Sequence, residues 1–360
     1  MPEHRNVGGS LLATSKLPIC HLNLAPSYRG GERQTELLIR ELSRRGRPQR
    51  LVVRNGNSLA ARCADVSELD IHEVASNPVA AGLAIRGSAV AHSHEGRTPY
   101  SCLFARYAFG IPYVITRRVV APQKKSFLRS LAYDRAGRVA TVSKAASDEL
   151  KKRMPLLEPV VVADATAGFK IDHAVAEHIR AKRAGKVLIG NVGALDHSHK
   201  GQSTIIEAAR LVAESHPDWH FMLCGDGKDR DRFRQEMAGL TNVELVGWVD
   251  NVGDYLASFD VFAYPSLHEA LGSSILDAMQ LGLPVVASNV GGIPDFVESG
   301  VHGELFEPED ARGLIEGLEA VLADPEKRRA MGERGIEQAA AYSVTRMADA
   351  YETLYREIAA

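Results

Sequence analysis

Short apolar runs alternate with amphipathic segments along the whole chain, and this alternation limits the fold more than any other feature. Strands that are apolar on both faces belong inside a sheet covered by helices, and strands separated by helices pair in parallel. In the first half PICHLNL (18–24) precedes the helix-like ERQTELLIRELSRRG (32–46), followed by QRLVV (49–53) and SAVAHSH (88–94). Then come the helix-like YSCLFARYAFG (100–110), PYVIT (112–116), a basic segment at 123–137, RVATVS (138–143) and the helix-like KAASDELKKR (144–153). The pattern restarts at KVLIGNVG (186–193), with a helix predicted over 201–214 and strands at 219–225, 242–247, 260–265 and 284–287. No element is assigned between 55 and 85. The fold class is α/β with parallel sheets.

A chain of 360 residues exceeds one compact core and suits two domains. An irregular stretch around Pro155 and Pro159 sets the junction, giving domains at 1–163 and 164–342. Residues 343–360 close the chain with a helix carrying Met347, Tyr351, Leu354 and Ile358 on one face. No apolar run approaches the roughly 20 residues that span a bilayer. The opening MPEHRNVGGSLLATSK lacks the apolar core of a signal peptide and reads as a flexible lead-in. Cys20 and Cys224 lie in apolar runs, without CxxC spacing, and read as reduced core thiols, which points to the cytoplasm.

The net charge of −2 conceals opposed halves. Residues 1–163 hold 25 Lys and Arg against 13 Asp and Glu, a net of +12; residues 164–360 hold 18 against 32, a net of −14. A positive first half suits an anionic partner such as a phosphorylated glycolipid or the cytoplasmic face of the inner membrane. Lys124, Lys125 and Arg129 share a segment there with Phe127, Leu128 and Leu131. Nothing in the chain calls for a nucleic-acid partner.

Phe262–Pro308 concentrates the chemistry. A buried strand ends at Tyr264, a loop with Glu269 and Gly272 follows, and a helix opens at Ser273 and Ser274 and carries Asp277. A helix N-terminus at the carboxyl end of a parallel strand favours a phosphorylated ligand, because its free amides and dipole face outward. Gly193 and Lys200–Gly201 form a second such loop, Gly225 and Gly227 a third, and Gly30–Gly31 a fourth in the first domain. His92 and His94 at i, i+2 lack a third ligand of convincing spacing, so no metal is expected. Arg117 and Arg118 follow PYVIT at another strand end, placed to meet an anionic acceptor.

These loops resemble the retaining nucleotide-sugar glycosyltransferases of the GT-B fold, in the family 4-like group that includes bacterial lipopolysaccharide-core and polysaccharide sugar transferases. The resemblance is best over 186–310 and weakest over 55–85. It implies two facing Rossmann-like domains with a deep interdomain cleft, and a terminal helix that crosses back onto the first domain. In that family Gly30 and Gly31 would lie against donor phosphates and acceptor, and His94 near the transferred sugar. Lys200 would stabilise the leaving diphosphate, and Gly193, Gly225, Gly272, Ser273 and Ser274 would line the donor. Gly247, Trp248 and Val249 would read the base, Glu269 would clamp the hexose and Asp277 the ribose. The family's usual arginine after the loop glycine is Ala194 here, with His197 and His199, or Arg29, Arg33 and Arg117 of the first domain, as candidate substitutes.

The implied activity is transfer of a hexose, by family frequency glucose from UDP-glucose, with retention and without metal or other cofactor. The implied acceptor is a lipopolysaccharide-core glycolipid or a saccharide. The rival readings are a nucleotide-sugar epimerase of the same fold and a non-catalytic nucleotide-sugar-binding protein.

Overall fold

The computed structural model describes residues 17–120 and 126–359, so the lead-in and the lysines Lys124 and Lys125 lie outside it. The chain forms two units: residues up to Ala165 together with those from Val344 onward, and Thr166–Ser343.

The first unit is built on a parallel sheet of β1 (Ile19–Asn23), β2 (Gln49–Arg54), β3 (Leu69–Val74), β4 (Val90–Ser93), β5 (Tyr113–Arg117), β6 (Arg138–Thr141) and β7 (Val160–Val161). Their order across the sheet is β3-β2-β1-β4-β5-β6-β7. The second unit repeats the plan with β8 (Val187–Val192), β9 (Trp219–Cys224), β10 (Val243–Gly247), β11 (Val261–Tyr264), β12 (Val285–Ser288) and β13 (Gly303–Phe306). Their order is β10-β9-β8-β11-β12-β13. Both are Rossmann-like sheets whose strand order reverses once, between β1 and β4 and between β8 and β11, and ligands dock at such a reversal.

The unassigned 55–85 stretch holds the helix Ser58–Cys63, β3 and the helix Pro78–Ala84. β3 escapes a reading by apolar runs because it is an edge strand, half-buried or exposed along its whole length. The basic 123–137 segment is helical over Phe127–Asp134 within the described residues.

The helix Gly30–Arg44 buries Leu38, Ile39 and Leu42, and its Glu32 carboxylate accepts the Arg29 amide at 3.0 Å to close the first turn. Against this helix packs the last one, Val344–Ala359, whose Met347, Tyr351, Leu354 and Tyr355 join Ile19, Leu38, Leu42, Val90 and Val114 in one core. Arg45 holds it from outside through Asp349 (2.7 Å) and Glu352 (2.8 Å). Two buried tyrosines tie it to the sheet. Tyr355 Oη lies 2.6 Å from His92 Nδ1, and Tyr351 Oη lies 2.9 Å from Thr116 Oγ1, which also meets His92 Nε2 at 2.7 Å.

Burial drives the His92 and His94 pKa values well below the ordinary 6.5, and that of His21 down to about 4. These imidazoles are neutral in the fold, whereas in the unfolded chain they charge near 6.5. Their contribution is therefore complete above pH 6.5 and is lost as pH falls toward 4. Glu41 and Glu244, depressed to about 2, lose their contribution only below the ordinary 4.5, so pH 6.5 to 5 reads mainly the histidines, with the raised Glu95 carboxyl acting in the opposite sense. Denaturant unfolding across that window should lose up to about 1.4 kcal/mol per pH unit for each buried imidazole. A flat profile would mean that these rings are already charged or solvated.

Candidate active site

In the second unit the loops after β8 and β11 meet backbone to backbone. The loop after β8 contains the short helix His197–Lys200, started by Asp196 accepting the Ser198 amide, and ends at Gly201 with φ +62°. A Cβ on Gly201 would lie 2.0 Å from the Pro265 carbonyl oxygen, so only glycine permits this approach. The Leu267 amide then donates to the His199 carbonyl at 2.8 Å.

That contact places Lys200 against the end of β11. Its Nζ donates to Glu269 Oε2 at 2.5 Å and to the Tyr264 hydroxyl at 2.8 Å. The Tyr264 hydroxyl donates to the same Oε2 at 2.9 Å, as does Ser266 Oγ at 3.3 Å, while the Ala270 amide donates to Oε1 at 3.2 Å. Burial works against both charges. Even so, Tyr264 and Glu269 hold the Lys200 pKa above its ordinary value, and Lys200 holds the Glu269 carboxyl below its own. Burial and the carboxylate push the Tyr264 phenol up to about 12. At neutral pH the cluster is ammonium, carboxylate and phenol. The turn after β12 braces it from behind, since a Cβ on Gly291 would lie 1.7 Å from the Glu269 carbonyl oxygen.

Around this cluster the strand ends carry small residues. The Gly193 amide donates to the Cys224 carbonyl at 3.0 Å, and the Gly225 amide to the Gly247 carbonyl at 2.8 Å, so the ends of β8, β9 and β10 form a low rim. Trp248 stands on it, 58% exposed, with Val249 half-buried beside it. Gly272, in the left-handed region, starts the helix Ser273–Gln280, with Ser273 and Ser274 half-buried in its first turn. Asp277 is buried on that helix and accepts the Ala167 amide at 2.6 Å, which pins the segment entering this unit. His197 and His199 bond locally to Ser203 and Ser198. The Ala194 carbonyl accepts Gln202 Nε2 at 2.9 Å.

In the first unit the reversal between β1 and β4 brings together Gly30–Gly31, His94 and Arg118. Cα partnering of His21 with His92 across β1 and β4 supplies the third imidazole that spacing had not revealed. His21, His92 and His94 present ring nitrogens within 4.8 Å of one another. Every one of those nitrogens already has a protein partner. Gln49 Nε2 donates to the Ile39 carbonyl, leaving Gln49 Oε1 to accept from His21 Nε2 at 3.1 Å. His21 Nδ1 must then accept from His94 Nε2 (3.0 Å), and His94 Nδ1 faces the Arg118 guanidinium at 3.5 Å. Arg118 Nη1 also reaches the His94 carbonyl (3.3 Å), and its Nε donates to Asp164 at 2.8 Å. Arg117 is the buried last residue of β5.

The structure thus brings Lys200 against Glu269 and His94 against Arg118, and adds Tyr264, His21 and Asp164, which the sequence does not single out, to their hydrogen bonding. A signal for Tyr264 was present, since a polar-tipped aromatic closes a strand at the sheet reversal.

The family described as glycosyl transferases group 1 matches residues 175–338, which contain the Lys200–Tyr264–Glu269 cluster. Alpha-maltose-1-phosphate synthase of Mycolicibacterium smegmatis is 27% identical over 315 residues, 75% of this chain and 79% of that protein. The lipopolysaccharide core biosynthesis glycosyltransferase LpsE of Rhizobium meliloti is 37% identical over 142 residues, 38% of this chain and 40% of that one. Anabaena Alr3699/HepE, solved in complex with UDP and glucose, shares the fold with a TM-score of 0.82 at 18% identity, covering 94% of this chain and 98% of its own. Residues 175–338 thus match the group 1 glycosyl transferases, and the two Rossmann-like units share the GT-B fold of the solved glycosyltransferases.

Proposed function

We propose that the protein transfers glucose from UDP-glucose, with retention at the anomeric carbon, to a sugar of a lipopolysaccharide-core glycolipid. The part-buried Lys200–Tyr264–Glu269 cluster at the β8/β11 reversal carries this reading. It supplies one cation for a departing diphosphate and one carboxylate for sugar hydroxyls, beside a helix N-terminus. HepE, bound to UDP and glucose, supports the donor, and LpsE supports the acceptor class. In the reaction the acceptor oxygen bonds to the anomeric carbon as the carbon–phosphate oxygen bond breaks. The acceptor proton passes to a phosphate oxygen of the leaving UDP, so no protein base is needed. Lys200 and the amides at Ser273 and Ser274 receive the negative charge that gathers on that diphosphate. Trp248 and Val249 flank the base, and Asp277 meets the ribose.

Purified protein incubated with UDP-glucose should release UDP, slowly without acceptor and faster with one. Lys200→Ala should lower that rate on the order of 10²–10³-fold, the usual effect of removing one preorganised donor group. A near-normal rate would assign the leaving-group charge to another cation. Unreacted or isomerised UDP-glucose would overturn the transferase reading altogether.

Glu269→Gln removes the charge from the sugar contacts and releases Lys200 from its partner. Calorimetry should show UDP-glucose bound on the order of tenfold or more weakly, with UDP bound at least as tightly as before. Asp277→Asn should weaken both ligands alike. Equal loss of UDP and UDP-glucose in Glu269→Gln would remove the sugar-clamp role.

We further infer peripheral attachment to an anionic membrane through the first unit. A groove of about 880 Å³ runs between its helices, lined by Pro78, Val79, Tyr100, Phe104, Leu128 and Leu131. Beside it Phe127 is 80% exposed and Arg129 adds a charge. Among the described residues no helix is long and apolar enough to cross a membrane. Sedimentation with anionic vesicles should fall steeply as salt shortens the screening length to about 8 Å and below. Equal binding to neutral vesicles, or none to anionic ones, would remove this surface from the proposal.

A further inference from the structure

The loops after β4 and β5 hold two groups of opposite charge, a half-buried Glu95 and an Arg118 with its side chain 9% exposed, that the donor chemistry leaves unused. Glu95 directly follows His94. Its Oε2 accepts the Arg97 amide at 2.9 Å, which folds the carboxylate back over the strand end, while Oε1 is shielded from solvent and has no partner. Arg118 directly follows β5. Its side chain is 9% exposed, its Nε is held by Asp164 and its Nη1 by the His94 carbonyl, but Nη2 is buried with no partner. The guanidinium therefore rests on the residue next to Glu95, yet no ion pair joins the two among the described residues. Native proteins leave few such atoms unsatisfied, and each calls for a partner that belongs there.

Space for one exists. At Gly30 nothing lies within 4 Å of a Cβ position, and at Gly31 the nearest atom is Arg118 Cδ at 3.7 Å, so the two glycines leave open space beside the aliphatic stem of the arginine. Burial raises the Glu95 pKa above its ordinary value, with the backbone amides of Arg97 and Leu24 and the Arg97 charge offsetting part of the effect.

We propose that Glu95 and Arg118 form a subsite for the hydroxyl groups of a neutral sugar, the acceptor of the transfer reaction proposed above, on which reading this inference rests. A hydroxyl both donates and accepts, so one sugar O–H can give its proton to Glu95 Oε1 while taking an N–H from Arg118 Nη2. A phosphate offers acceptors only and would face Glu95 with like charge. Arg118 needs no second counter-ion, because Asp164 already sits on its Nε at 2.8 Å. The anionic groups of a glycolipid acceptor then lie outside this subsite, and the sugar unit that enters it is uncharged.

Saturation-transfer NMR on the full chain with UDP present tests this directly, using the methyl α-glycosides of glucose, galactose and mannose beside glucose 6-phosphate. At least one neutral glycoside should bind, and more tightly than the phosphorylated sugar. Glu95→Gln should weaken it on the order of 10–100-fold, Glu95→Asp less, and Arg118→Lys comparably to Glu95→Gln. UDP affinity and the melting temperature of each variant report whether it has folded. Absence of binding by every neutral glycoside, unchanged binding in Glu95→Gln, or preference for glucose 6-phosphate would each overturn the subsite. UDP-glucose turnover by the unaltered protein is measured alongside. If turnover is absent while glycoside binding and its loss in the variants persist, the transfer reading fails and the subsite stands.

Discussion

Parallel strand pairing is the constraint from which the rest of this structure follows. A parallel strand cannot return by a hairpin, so each connection runs through a crossover segment on a sheet face. Both sheets grow outward in two directions from an inner strand, β1 in one and β8 in the other. Where growth reverses, the loops leaving neighbouring strands diverge to opposite faces and cannot cover the strand ends. The groups with chemical potential lie at those two places: Gly30–Gly31, His94, Glu95 and Arg118 in one sheet, Lys200, Tyr264 and Glu269 in the other. Backbone topology makes the crevice, and side chains specialise it.

The Lys200–Glu269 pair shows how such a crevice is kept ready. An unpaired charge buried there would be strongly destabilising, and the pair removes that cost for each partner while no donor is present. In the proposed reaction the diphosphate competes with Glu269 for the lysine, so ground-state binding is weaker than an unopposed ammonium would give. As charge moves onto the leaving group the competition shifts toward the phosphate. The interaction is thereby strongest when the bond is breaking, which raises the rate more than it raises affinity. Tyr264 holds both partners through one hydroxyl and keeps the exchange to a short movement of Nζ.

Local pattern revealed the inner strands because both their faces are apolar. β3 and β7 are the two edge strands of the first sheet; LDIHEV is polar at half its positions, and β7 is two exposed valines in the short run PVVVA (159–163). The strand-loop-helix units that carry Lys200 and Glu269 were legible for the same reason as the inner strands. Their contact was not, since 69 residues separate them and the approach depends on Gly201 lying against Pro265. His21 reads as part of an apolar run, and only strand register sets it across from His92. The Asp277 bond to the Ala167 amide spans 110 residues and follows from chain path alone. Spacing along a sequence reports what one element does; it carries little about which strand ends become neighbours.

The final helix has a consequence for biosynthesis. The core of the first unit is discontinuous in the chain: Leu38, Val90 and Val114 are translated before the second unit, whereas Tyr351, Leu354 and Tyr355 are translated after it. Until then the nascent polypeptide exposes the apolar face that this helix will cover, and His92 and Thr116 lack their phenolic partners. The unit made second, by contrast, is continuous from Thr166 to Ser343 and has all its contacts available first. Completion of the first unit's core therefore waits until the second unit has been translated.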